Sequence, residues 1–230
     1  MNVTPTAHRA RVVLAAFALA AFSLTARAEL FLETGDAGAD LASANWTPAF
    51  GSIDGIDGSL LSDTDADLFK IWINDPSSFS ATTVGGTSID TSLFLLKSDG
   101  SPAYFNDDDE SGLFLQSSLS AWNFSTPISA GYYYLGIATS GFEPENSNSQ
   151  LLFAPFVLSP TETRGANSAL SPATLFDFTP LYSTGESGEY TIQLQGVGAV
   201  PEPSTYGLVG ALALAAFAFL RRARSRAPRP

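Results

Sequence analysis

Asp67-Leu68-Phe69-Lys70-Ile71-Trp72-Ile73-Asn74 is the stretch that decides the fold class. Phe69, Ile71 and Ile73 fall on one side of an extended chain, and Lys70 and Asn74 fall on the other. That period of two predicts a half-buried β-strand, with Leu68 and Trp72 as apolar exceptions on the polar side. Asp75-Pro76-Ser77-Ser78 then marks a turn. Phe79–Val84 predicts a short Thr-rich strand, broken by Gly85-Gly86. Ser92–Leu96 is a continuous apolar run of strand length, which predicts burial on both faces. After the turn Ser98-Asp99-Gly100-Ser101-Pro102, a strand resumes at Ala103-Tyr104-Phe105. Leu113–Phe124 holds another, and Gly131–Thr139, with Tyr132, Tyr133 and Tyr134, suits a pleated surface. In the last strand Tyr190, Ile192 and Leu194 point inward, and Thr191, Gln193 and Gln195 point outward. No amphipathic helix pattern interrupts this series. Short strands between turn signals predict an all-β, antiparallel β-sandwich.

Around this centre the patterns are looser. Residues 29–62 read as a lead-in with one or two short strands, and the repeated Ile-Asp-Gly of 53–58 reads as tight turns. Pro155 demotes Leu151–Leu158 to an edge strand or loop. Residues 159–186 read as a long loop, or as an insertion with one short element near Leu175–Phe178.

The two ends differ from the body. Residues 1–28 have the build of an export signal: His8, Arg9 and Arg11, the apolar run Val12–Leu24, and the small-x-small site Ala26-Arg27-Ala28, with the cut between Ala28 and Glu29. The last stretch, 200–230, reads Val200-Pro201-Glu202-Pro203-Ser204-Thr205, then the apolar run 206–220, then Arg221, Arg222, Arg224, Arg226 and Arg229. Pro201 and Pro203 lack a backbone N–H, so this motif is expected to be extended and unpaired. The run would span about 22 Å as a helix, against a hydrocarbon core of about 30 Å, so it reads as a short, weak membrane helix. Its arginines form a membrane stop on the cytoplasmic side.

Composition narrows the function. The chain carries −12 overall, and eight of its eleven Lys and Arg residues lie in the two ends. The body, 29–199, holds 22 acidic residues against Lys70, Lys97 and Arg164, a formal −19. Such a surface repels nucleic-acid backbones and attracts divalent cations. The only His lies in the export signal and there is no Cys. The body therefore lacks Ser-His-Asp and Cys-His catalysis, His-ligated zinc and disulfides.

Two resemblances follow. The order of Pro-Glu-Pro motif, short helix and Arg-rich end resembles the PEP-CTERM sorting signal of exopolysaccharide-making Gram-negative bacteria. It implies recognition and cleavage at Val200-Pro201-Glu202-Pro203 by a membrane-embedded exosortase. In the body, Asp65-Ala66-Asp67-Leu68-Phe69, Asp90-Thr91-Ser92-Leu93, Asp99-Gly100, Asn106-Asp107-Asp108 and Gly131-Tyr132-Tyr133-Tyr134-Leu135 are similar to the bacterial pre-peptidase C-terminal domain family. That implies a jelly-roll-like sandwich, here with its core at about 60–140 plus 187–196. Its members are usually non-catalytic, and some bind calcium or polysaccharide.

The acidic clusters are the candidates for chemistry. Asp63, Asp65 and Asp67 fail as an EF-hand loop because Leu68 stands where Gly is needed. Asp107, Asp109, Ser111 and Gly112 fit half of one, and Ser118 cannot close it. Calcium at Asp63, Asp65, Asp67, Asp90, Asp107 and Asp109 requires the clusters to meet at one edge of the sheets. The competing reading is a solvated acidic rim with ordinary Asp turn chemistry. A glycosidase would draw on Glu143, Glu145, Glu162, Glu186 or Glu189. Trp46, Trp72, Trp122, Tyr132 and Tyr134 could stack on sugars or simply pack. The reading is an exported, non-enzymatic surface or matrix protein, held at the inner membrane as a precursor and associated with exopolysaccharide or biofilm. A calcium-dependent carbohydrate-binding module is the alternative, and a glycoside hydrolase comes last.

Overall fold

A computed structural model describes residues 29–47, 52–155, 159–170 and 173–198, together with Leu214 and Phe217. The export signal and the tail, including its expected membrane helix, lie outside the described residues apart from those two helical positions. Among the described residues no helix is long and apolar enough to cross a membrane.

The strands are β1 (Glu29–Leu32), β2 (Asn45–Trp46), β3 (Ile53–Leu60), β4 (Ala66–Ile73), β5 (Ser80–Thr82), β6 (Thr91–Lys97) and β7 (Pro102–Asn106). After them come β8 (Ser118–Ser120), β9 (Gly131–Thr139), β10 (Phe142–Glu145), β11 (Arg164–Gly165), β12 (Asp177–Pro180) and β13 (Gly188–Gln195). They form a five-stranded sheet, β1-β3-β13-β5-β8, a six-stranded sheet, β11-β7-β6-β9-β4-β2, and the pair β10-β12.

The alternation in β4 places Phe69, Ile71 and Ile73 in a core shared with Ile53, Ile56, Tyr190, Ile192 and Leu194 of the opposite sheet. The two sheets therefore pack face to face on one apolar layer. The exceptions in β4 have a cause too. Leu68 belongs to a second core on the outer face of the six-stranded sheet, with Phe94, Leu96 and Phe105. Phe142, Leu152, Phe153 and Phe178 cover it. That second layer is why β6 is buried on both faces, with Leu93 and Leu95 facing one core and Phe94 and Leu96 the other.

Three sequence expectations are corrected, and two others keep one of their alternatives. The lead-in is not loose: Ile53–Leu60 is a full strand paired with β13 from Leu60↔Gly188 to Gly55↔Gln193. Its glycines permit close approach rather than turns, since a Cβ on Gly55 would stand 2.9 Å from the Ile192 carbonyl oxygen. The sheets are mixed rather than antiparallel throughout, because β1 runs parallel to β3 and β2 parallel to β4. In the 159–186 stretch the short element expected near Leu175–Phe178 is β12, paired with β10, and a second one, β11, adds to the edge of the six-stranded sheet beside β7. Of the two readings of Leu151–Leu158, the loop holds for the described part, where Leu151 and Phe153 make only isolated bridges, and 156–158 lies outside the described residues. The strand expected in Leu113–Phe124 shrinks to Ser118–Ser120, followed by a single 3-10 turn at Ala121–Asn123.

Gly136 faces Phe94 across β9 and β6. A Cβ there would overlap the Phe94 ring, which packs 5.3 Å from Phe178. Gly136→Ala is expected to lower the unfolding free energy by about 2–3 kcal/mol through overpacking, measured by urea denaturation. A loss under about 0.5 kcal/mol would mean the ring has room to move.

Candidate functional site

Asp67 has the same parity in β4 as Phe69, so its carboxylate points between the sheets. Its side chain is fully buried. One oxygen, Oδ2, accepts a 2.6 Å hydrogen bond from the Tyr190 hydroxyl of β13. The other, Oδ1, is buried without a partner. Gly58 stands opposite Tyr190 in β3, and a side chain there would overlap the Tyr190 hydroxyl and sit 2.6 Å from Glu33 Oε2. The glycine thus makes room for Glu33, whose Oε1 accepts from the Ala37 N–H (2.8 Å) and Oε2 from the Ser59 N–H (2.9 Å).

Oxygens of Glu33, Asp36 and Asp67 lie within 4.8 Å of one another. The charges acting on Asp67 come from Glu33, Asp65 and Asp36, all negative. Burial first, and these neighbours next, push its carboxyl up to about 8 against the Tyr190 bond that favours ionisation. The Tyr190 hydroxyl is pushed well above its usual range by burial and by Asp67, so it remains a donor. Three converging carboxylates, one with a buried oxygen that meets no partner among the described residues, are the ligand type that a hard cation takes. They can provide about half of the six to eight oxygens that calcium takes. A groove of about 460 Å³ bordered by Glu33, Gly58 and Tyr190 gives access from solvent.

Of the sequence-selected acids, only Asp67 joins this group. Asp65 accepts from the Leu61 N–H (2.6 Å), and Asp63 accepts from Ser183 and Gly185. Asp109 accepts from Ser111 (2.5 Å) while Asp107 turns inward to Ser92 (2.6 Å), so the half EF-hand loop does not converge. Asp90 feels the charge of Asp107. Burial, followed by Asp107, Asp108 and Glu186, pushes Asp90 up to about 7. The Asp63 and Asp90 carbonyls accept from adjacent residues of one strand end, Thr139 and Ser140, so these clusters share an end of the sheets. Their carboxylates, however, differ: Asp63 accepts from Ser183 and Gly185 and Asp107 from Ser92, whereas Asp90 Oδ1 is buried without a partner among the described residues. The acids in turns follow ordinary Asp turn chemistry.

Glu33 and Asp36 were missed by sequence reasoning. Glu33-Thr34-Gly35-Asp36 carries an acid pair around a glycine, but its partner Tyr190 is far away in the chain. Among the acids considered for glycosidase work, Glu143 is held in a buried pair with Arg164 (2.8 Å), and Glu186 accepts from the Asp90 N–H (2.6 Å). Of the aromatic candidates, Trp46, Tyr132 and Tyr134 surround the Lys70 ammonium at 4.0, 5.2 and 5.6 Å, and Trp72 meets Tyr132 edge-on at 4.9 Å. Trp122 stands apart and is 89% exposed.

Residues 199–224 match the PEP-CTERM protein-sorting motif. The match begins one residue after Gly198, where the described body ends. It covers Val200, Pro201, Glu202, Pro203, Arg221, Arg222 and Arg224. PEP-CTERM signals are recognised by exosortase, a membrane protease, and the motif marks this chain as an exosortase-sorted, exported protein. No curated protein and no solved structure matches the chain.

Proposed function

We propose that the chain is the precursor of a non-enzymatic surface or extracellular-matrix protein, translocated by residues 1–28, stopped by the helix 206–220 and cut near Pro201–Pro203. The PEP-CTERM match carries this reading. Association with exopolysaccharide or biofilm matrix is the role that such a sorted, His-free and Cys-free acidic body suits best. The jelly-roll reading of the body gains support from its connectivity. Eight strands form the facing orders β3-β13-β5-β8 and β4-β9-β6-β7, crossing between the sheets at each step from β3 to β9 except the β6–β7 hairpin, with β1, β2 and β11 added at edges. Intact mass of the native protein tests the sorting. The mature chain should end at or before Pro203, and a chain that retains Arg221 contradicts it.

A second reading, a calcium-dependent carbohydrate-binding module, rests on Glu33, Asp36 and the free oxygen of Asp67. Asp67 binds a proton in the fold from its ordinary 3.8 up to about 8. The folded state then holds more protons than the unfolded one, so this stabilisation is full below about pH 4 and is lost as pH rises toward 8. Metal-free protein is expected to melt lower as pH climbs through that window. Calcium competes with the proton, so it should stabilise most near pH 8, by about 2.7 kcal/mol at one hundred times its Kd. Asp67→Asn should abolish both the pH slope and the calcium effect. Equal melting with calcium and with chelator at pH 8 removes this reading. Glycan-array binding that saturates and is lost with chelator would favour it over the matrix role.

A further inference from the structure

Where the body stops, its surface changes character. The Gly198 N–H donates to the Trp72 carbonyl (3.0 Å), Val197 bridges to Ile73, and Ser52 bridges to Gly198. The Glu29 N–H donates to the Ser52 carbonyl (3.1 Å), so both ends of the described body leave from the same end of the sheets. All three tryptophans gather toward that end. Trp72 sits beside Gly198 and pairs with Tyr132 across β4 and β9. Trp46 lies opposite Lys70, one pleat further along. Trp122 follows Ser120, which pairs through Ser80 with Gln195, the residue before Gly196. These rings are not core. Trp46 is 64% exposed, Tyr132 39% and Trp122 89%.

We infer that this aromatic end of the body, with Trp46 and Tyr132 over Lys70, Trp72 edge-on to Tyr132 and Trp122 standing apart toward the same end, is a membrane-interface contact that rests on the bilayer while the chain is tethered by its tail. The inference depends on the sorting reading for the tether itself. Three observations on different levels carry it. The first is reach. From Gly198 to Tyr206, the start of the apolar run, the backbone can extend at most about 28 Å, so this end cannot leave the neighbourhood of the bilayer. The second is chemistry. Trp and Tyr are the side chains that partition to the boundary between headgroups and acyl chains, apolar body inward and polar edge toward water. Lys70 adds a cation on an aliphatic stem that can bury while its head meets anionic headgroups. The third is charge. With 22 carboxylates and three cations in the body, an anionic bilayer repels most of its surface, which leaves the end bearing Lys70 and the rings as the favoured contact. Glu29 and Asp75 also stand at this end. Asp75 is tied to the Ser77 hydroxyl (2.6 Å), and both fit a wet rim around the rings.

The contact has a consequence for processing. A body seated on the membrane presents residues 199–205 at the depth where a membrane-embedded protease works. It would also leave the surface once the tail is cut, because a few interfacial rings bind reversibly.

The test uses the intact chain reconstituted in vesicles of phosphatidylethanolamine and phosphatidylglycerol, with and without lipids brominated near the headgroup end of the acyl chain. Tryptophan emission is expected to fall to about half with brominated lipid, as for rings at the interface. Trp122→Phe, at an exposed site, should keep that response through Trp46 and Trp72. Lys70→Glu should weaken it, one cationic contact with an anionic surface being worth a factor of roughly five in binding. Emission that is unchanged in vesicles with which the chain floats overturns the contact and leaves the tether standing. A chain that does not float overturns both. Emission that responds to added alginate and not to brominated lipid assigns the rings to a glycan, and the membrane contact fails.

Discussion

Arg164→Met is expected to lower the unfolding free energy by about 3–5 kcal/mol, because it strands a buried carboxylate. Arg164 lies in β11 at the edge of the six-stranded sheet, with its guanidinium 3.9 Å above the Phe105 ring. It donates to both Glu143 oxygens, at 2.8 and 3.3 Å, and to the Ala154 carbonyl at 3.0 Å. The two charged side chains are 3% and 5% exposed. One side chain thus ties β10, the 152–155 segment and β7 together, and it clamps the covering layer over Phe94 and Phe105. For a body of this size the expected loss corresponds to about 10 °C or more in Tm. Glu143→Leu combined with Arg164→Met should regain most of it, since the cost lies in the unpaired charge rather than in the absent bond. If the single variant melts within about 2 °C of the parent, the ion pair does not fasten the cover.

That clamp also shows where the sequence stops being informative. Periodicity is a local signal, and it located β4, β6, β9 and β13 because each side chain in them meets an apolar layer at a period of two. It misjudged Ile53–Leu60, where glycines stand in the strand because Tyr190, Glu33 and the Ile192 carbonyl crowd against it from segments remote in sequence. It read the Leu68 exception in β4 without its reason, because the covering layer comes from residues more than seventy positions later. The 159–186 stretch carries no period of its own. Its short elements are held by partners elsewhere: β12 by β10, and Leu175 by the Gly100 carbonyl.

The site was legible in its chemistry and not in its membership. An acid-rich body without His or Cys does point to oxygen ligands and hard cations. Yet of three adjacent-looking carboxylates, Asp63, Asp65 and Asp67, two spend their oxygens on nearby N–H and O–H donors. Only Asp67 faces inward, and its company is fixed by the packing of β1 and β13 on β3. A turn acid and a site acid look alike until the opposite sheet is in place. The sorting signal is the contrary case. Its parts follow one another directly in the chain, so no tertiary contact is needed to read it.

Replacing Pro201, Glu202 and Pro203 together by alanine is therefore expected to abolish processing while leaving the body as stable as before. Among the described residues the chain is tied to the sheet as far as Gly198, whose N–H donates to the Trp72 carbonyl, so the described strands are paired before the motif begins. The motif's prolines offer no N–H to a sheet and hold φ near −65°, which keeps the peptide available to a protease groove rather than to a neighbouring strand. Alanine removes both properties and the only carboxylate of the tail. In the native host the variant should accumulate in the inner membrane at full tail length, with Arg221, Arg222 and Arg224 present in its mass spectrum. The parent should appear outside the cell or at its surface, ending at or before Pro203. Melting of the two bodies should agree within about 0.5 kcal/mol, as for changes away from buried contacts. A variant released and trimmed like the parent would show that cleavage is directed by something other than this motif, and the tail would then be an ordinary anchor. A variant that is retained but melts much lower would place the motif within the fold, against the pairing seen as far as Gly198.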